Sequence, residues 1–162
     1  MLLIGSVFAG SVYQQPRAFL QDVFNGKVPK PRMLWLISSR RKVIKEILGH
    51  KAHKLRIRYW KADGRTAWIL EEIGKEYPIT TGIVVRQGRI ERLKVLIFRE
   101  SRGWEVRYPF FTKQFRGTLL TADNQLNRHI DGITGATLSV RALKKLARMS
   151  LYLDKQSNNK GK

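Results

Sequence analysis

Hydrophobic positions recur with two different periods along this chain. Pro16 is placed to open a short helix over Arg17–Phe24, and Asn25-Gly26 to close it. Pro29 and Pro31 make Lys27–Arg32 an extended connector, and Met33–Ile37 reads as a short apolar strand. Ser38 or Ser39 then caps a helix that carries Val43, Ile44, Ile47 and Leu48 on one face, with Gly49 as its stop. From Leu55 the period changes. Leu55-Arg56-Ile57-Arg58-Tyr59 alternates apolar and basic residues, as a half-buried strand does. Asp63-Gly64 turns the chain, and Thr66–Ile73 returns as the partner strand. Pro78 interrupts; Ile79–Val85 and Ile90–Phe98 then form a second hairpin around Gln87-Gly88. The helical period resumes in Val140, Leu143, Leu146, Ala147 and Leu151. The tail turns polar after Leu153, and Ser150–Lys162 is expected to fray. Helices on the N-terminal side, four to five strands and a C-terminal helix predict an α+β fold built on an antiparallel sheet.

Length and composition narrow this picture. The chain has 162 residues, 43% of them apolar, which suits one domain with a proper core and excludes a disordered chain. It divides into an apolar segment at residues 1–13, a basic part at 14–75, a region at 76–154 that carries the candidate chemistry, and a polar tail at 155–162. There is no cysteine, so disulfides, thiolate catalysis and Cys-based metal sites are excluded. His50 and His53 stand three apart with no acidic cluster beside them, and read as a solvated turn.

The formal net charge is +20, and residues 27–61 hold 12 Lys and Arg against a single acid, Glu46. Such an excess points to an anionic partner or surface. Arg56, Arg58, Tyr59 and Trp60 share one strand and can be read as a basic, aromatic face for single-stranded nucleic acid. No nucleic-acid-binding signature accompanies them, and a nucleic acid is not the expected partner. Anionic lipid is the other surface this charge fits. Met1–Ala9 is apolar and too short to span a bilayer; it reads either as a signal sequence with a peptidase-like Val7-Phe8-Ala9 site or as a buried first element.

The chemistry concentrates in Asp131-Gly132-Ile133-Thr134-Gly135-Ala136-Thr137-Leu138-Ser139, just before the last helix. Small residues and a free hydroxyl at a helix start suit a phosphate, because helix N-termini offer unpaired N–H groups and partial positive charge. Read locally, the same string is also a helix start in which Thr134 or Thr137 is the N-cap.

Asp131, two variable residues, Thr134, Gly135, Ala136 and Thr137 resemble the flavin-attachment motif of the FMN-binding domain family. That family includes the C subunit of the sodium-pumping NADH:quinone reductase and the G subunit of the Rnf complex. Further blocks arrive in family order from Ile79 to Leu146: Thr81–Val85 before Gln87-Gly88-Arg89-Ile90, then Glu100-Ser101-Arg102-Gly103-Trp104, then Phe111-Thr112-Lys113-Gln114-Phe115. Arg102 stands where the family has proline, and Thr80-Thr81 where glycines are common.

The resemblance implies that Thr137 carries FMN through a phosphoester bond made by a flavin transferase from FAD. It makes Asp131 part of the signal the transferase reads. Glu100 either orders its loop by accepting backbone N–H bonds or contacts the flavin. Ser101, Gly103 and Trp104 belong to the same loop. Thr118 and Thr121 either hydrogen-bond phosphate or ribityl oxygens or serve ordinary turns. Of Trp104, Tyr108, Phe110, Phe111 and Phe115, one or two would pack on the flavin and the rest form core. The implied protein is an electron carrier at the outer face of the cytoplasmic membrane or in the periplasm. Its partners would be a membrane flavoprotein or quinone-linked reductase and a cytochrome.

Overall fold

A computed structural model describes residues 10–159 of the chain. Most of the apolar N-terminal segment, Met1–Ala9, lies outside the described residues. The strands are β1 (Ser11–Val12), β2 (Arg32–Trp35), β3 (Arg56–Ala62), β4 (Arg65–Ile73), β5 (Pro78–Arg86) and β6 (Arg89–Phe98). They form one antiparallel sheet in the order β1-β6-β5-β4-β3-β2. The helices are α1 (Pro16–Val23), α2 (Ser38–Leu48), the single turn α3 (Pro109–Thr112) and α4 (Thr137–Asn158).

Both expected hairpins form, and their turns show why. Asp63 and Gly64 have φ of 53° and 73°, and Gln87 and Gly88 have 50° and 70°. Successive positive φ values are what a two-residue hairpin turn matched to strand twist requires. Pro78 does not interrupt the sheet but opens β5, pairing with Ile73 at the strand's first residue, where its missing N–H does least harm. The sheet has six strands rather than four or five; the addition is β1, whose two residues pair with Ile97 and Phe98.

Helix α1 packs on one face of the sheet, where Phe19, Leu20, Val23 and Phe24 meet Ala67, Val84 and Leu96. Helices α2 and α4 pack on the other, in the larger core that contains Ile44, Trp68, Ile83, Leu143 and Leu146. Two expectations at helix ends fail. Ile37, not a serine, is the N-cap of α2, and the Ser38 hydroxyl accepts a 3.4 Å bond from Arg41 instead. The end of α4 does not fray from Ser150 but stays helical to Asn158. There Asp154 is buried, the Trp68 indole N–H donates to Thr66 Oγ1 at 2.9 Å, and Thr66 donates to Asp154 Oδ1 at 2.7 Å. That chain of hydrogen bonds fastens the last turns to β4.

His50 leaves α2's stop and reaches the buried Glu72 on β4, with Nε2 2.9 Å from Oε2. Its pKa is raised: the Lys51 carbonyl bond raises it, burial opposes, and the hydrogen bond and charge of Glu72 add to the rise. The folded pKa therefore exceeds the unfolded value of about 6.5. The stabilisation is complete below that value and is lost as pH rises through the folded pKa. Thermal melts at pH 6 and pH 8 are expected to show a loss of stability at the higher pH that is smaller in His50→Gln; an equal loss in the variant would assign the effect elsewhere.

Gly82 on β5 gives a second test. A Cβ there would lie 2.6 Å from the Phe19 ring, which is itself completely buried. Gly82→Ala should lift α1 from the sheet and cost about 1–3 kcal/mol, as overpacking does, read from denaturant unfolding.

Candidate functional site

Thr137 is the first residue of α4, and its side chain is exposed. Gly135 has φ of 81°, and the Ala136 N–H donates to Ile133 C=O at 3.0 Å, so a tight turn delivers the chain to the helix. Ala136 turns its methyl into the main core beside Ile130. Ala136 is the N-cap residue, and no side chain caps the helix. The reading of Thr134 or Thr137 as N-cap is therefore not the one the structure adopts; both hydroxyls sit on exposed residues. The first helical bond runs from Val140 N–H to Ala136 C=O, leaving the amides of Thr137, Leu138 and Ser139 without helical partners.

Two contacts position this turn. Gly103, with φ of 87°, packs so close to Ser139 that a Cβ at 103 would overlap the Ser139 hydroxyl. This brings the Glu100–Trp104 loop against the first turn of α4 and leaves Trp104 beside it, 41% exposed. The second contact is Gln114, which sequence reasoning noticed only as part of an aromatic string. Its Oε1 accepts the Asp131 N–H at 2.7 Å and its Nε2 donates to the Asp131 C=O at 3.2 Å. The motif loop is thus ordered through the backbone of Asp131. The Asp131 carboxylate is exposed, with His129 Nε2 3.4 Å away.

The remaining candidates separate. Glu100 Oε1 accepts the N–H groups of Lys75, Glu76 and Tyr77, so the loop it orders is the β4–β5 turn rather than its own. Partial burial pushes its pKa up, but the N–H donors of Tyr77, Glu76 and Lys75 outweigh this and hold it below the usual carboxylate range. Ser101 is exposed on Glu100's own loop. Thr118 is fully buried and donates to the Phe115 carbonyl at 2.6 Å, while Thr121 donates to Asp123; both serve turns. Phe111 and Phe115 are core, packed edge to face, whereas Trp104, Tyr108 and Phe110 remain exposed.

A cleft of about 580 Å³ opens beside Thr137. Ile130, Val140 and Leu126 line it, and so do Arg128, Arg141, Lys144, Lys145 and Arg148. Arg141, Lys144, Lys145 and Arg148 follow Thr137 at helical spacing, so one face of α4 carries a hydroxyl and then a row of cations. Arg128 is engaged with the Gln114 and Arg116 carbonyls, and Arg148 with those of Asn124 and Ile47. Arg141 and Lys144 bond no other group among the described residues.

This geometry fits a phosphate-bearing ligand: the exposed Thr137, cations and apolar walls line one cleft, and the unpaired amides open the same helix. Residues 74–151 match the FMN-binding domain family, and FMN is the cofactor this match supports. Comparison with characterised proteins and with solved structures gives no match.

Gln114→Ala should keep the fold and lose about 1 kcal/mol for its hydrogen bonds to the motif backbone. Amide hydrogen exchange is expected to speed up locally over residues 131–137; unchanged exchange there would show that Gln114 does not hold the loop.

Proposed function

From the FMN-binding domain at residues 74–151 we infer that this protein is a flavin electron carrier whose FMN is joined covalently to Thr137. The observation that carries the inference is the placement of Thr137. Its hydroxyl is exposed, caps nothing, and lies at the mouth of a cation-lined cleft on the first turn of a helix. A threonine kept for structure would bury its methyl or bond its hydroxyl to the turn, as Thr118 does.

Attachment is a phosphoryl transfer. Thr137 Oγ forms the new bond to the FMN phosphorus of FAD, AMP leaves, and the hydroxyl proton passes to solvent or a base of the transferase. This chain's task is to present the hydroxyl. The Gly103 contact and the Gln114 clamp fix the turn, and the exposed Asp131 carboxylate remains available for the transferase to read. Once attached, the phosphate would lie at the free amides of Thr137, Leu138 and Ser139, with Arg141 in reach on the next turn. Bound FMN would supply reversible electron acceptance. Arg141, Lys144 and Lys145 favour the negative charge that reduction adds, and Trp104 offers a flat apolar surface beside the same turn.

The partners that suit such a carrier are a membrane flavoprotein or quinone-linked reductase as donor and a cytochrome as acceptor. A +20 carrier would be steered toward acidic surfaces. No helix among the described residues is long and apolar enough to cross a membrane. The proposed location is the periplasm or the outer face of the cytoplasmic membrane. The apolar run Met1–Ala9, with its peptidase-like Val7-Phe8-Ala9, supports it.

Co-expression with a flavin transferase, followed by a denaturing gel viewed under flavin-exciting light, tests the attachment. The wild-type band should fluoresce, Thr137→Ala should be dark yet folded, and Thr137→Ser should retain partial signal. A dark wild-type band, with the transferase active on a control substrate, would refute covalent attachment.

A further inference from the structure

The basic first half of the chain lies outside the FMN-binding match and plays no part in the cleft beside Thr137. Its surface has its own organisation. Met33 pairs directly across from Arg58, and Trp35 from Arg56, so all four side chains share one face of the sheet. Leu34 and Ile57, the pair between them, point into the core on the other face. Tyr59 also points inward, stacked on Trp68 at 4.8 Å, so it is not part of the basic strand face expected from sequence.

Helix α1 covers this outer face only over the middle of the sheet, where Trp60 and Ile69 are partly buried against it. Over β2 and the first half of β3 the face is open. Trp35 is 57% exposed and Met33 38%, and at the same end of the sheet Ile37 and Leu55 are 55% and 63% exposed. Arg56 lies over the Trp35 ring, 5.5 Å from its centre, and Arg58, Lys54 and Lys51 are exposed nearby. Glu71, an acid that lines the same stretch of the sheet, is held by Thr80 and Arg99.

We infer that this open face docks the protein on an anionic lipid surface, with Trp35, Met33 and Ile37 entering the headgroup boundary and the surrounding Lys and Arg meeting lipid phosphates. Aliphatic and indole side chains ringed by cations are the composition that interfacial binding uses. A single-stranded nucleic acid would instead need flat stacking platforms. Here the exposed ring, Trp35, already has Arg56 stacked over one side, and the other exposed groups of this face, Met33 and Ile37, are not aromatic. On the opposite face, helix α4 reaches this edge of the sheet with its C-terminal turns, where Gln156 accepts from Arg40 and Asn158 from Lys61. Thr137 opens the same helix at its other end, roughly 30 Å away along the axis. Docking by β2 and β3 would leave the attachment motif accessible.

Co-sedimentation of the full chain with vesicles of phosphatidylcholine, alone or mixed with equal phosphatidylglycerol, tests this. Binding is expected only to the anionic vesicles and should weaken with salt. Arg56→Gln and Arg58→Gln should each weaken it about fivefold. Brominated acyl chains should quench tryptophan emission in the wild type and much less in Trp35→Phe, with melting curves confirming that each variant folds. Anionic-vesicle binding equal in wild type and these variants would overturn the inference, as would binding to neutral vesicles alone. Capture of a single-stranded oligonucleotide or an acidic protein, lost in the same variants while vesicles are ignored, would also overturn it. Thr137→Ala should bind vesicles as the wild type does, so failure of the flavin reading leaves this test intact.

Discussion

The absence of a side chain on Gly103 lets the β6-to-α3 loop lie directly on Ser139, and the candidate site depends on that approach. A methyl group there would both meet the Ser139 hydroxyl and resist the left-handed backbone at φ 87°. The contact does for α4 what a capping side chain usually does. It fixes where the helix begins while leaving the first amides unengaged. A conventional serine or threonine cap would fold back on those amides and consume them. The turn is instead held from outside, by Gly103 on one flank and the Gln114 amide on the other. Thr137 is then free to present its hydroxyl.

Charge is arranged on two separate surfaces. Along α4 the cations follow Thr137 at helical spacing and line a cleft with apolar walls. At the far edge of the sheet the cations alternate with exposed apolar groups. A chain of +20 pays for this in self-repulsion, and the fold places its few carboxylates where they bind the structure together. Glu100 gathers three backbone amides, Glu72 receives His50, Glu91 receives Arg65, and Asp154 receives Thr66.

Much of this was legible in the sequence, for identifiable reasons. Alternation and Asp-Gly or Gln-Gly turns are local signals, and both hairpins formed where those signals lay. The string Asp131–Thr137 was legible through its resemblance to a family motif, and the structure shows what its small residues do there, a positive φ at Gly135 and a buried methyl at Ala136. What remained hidden depends on distant partners. Two residues suffice for β1 only because the edge of β6 receives them. The polar end of α4 stays helical because Asp154 finds Thr66 across 88 positions. Gln114 looked like one polar residue among aromatics; only the fold brings its amide to Asp131, 17 positions on. The inward turn of Tyr59 was already present in the alternation of Ile57 and Tyr59 with Arg56 and Arg58; what the fold adds is its stacking on Trp68.

The central claim is that one hydroxyl, on Thr137, carries the flavin. Mass spectrometry of the tryptic peptide His129–Arg141, from protein co-expressed with a flavin transferase, addresses it directly. The account predicts a peptide heavier by FMN less one water, with fragmentation placing the added group on Thr137 and not on Thr134 or Ser139. An unmodified peptide, or the group on any other residue, would contradict it.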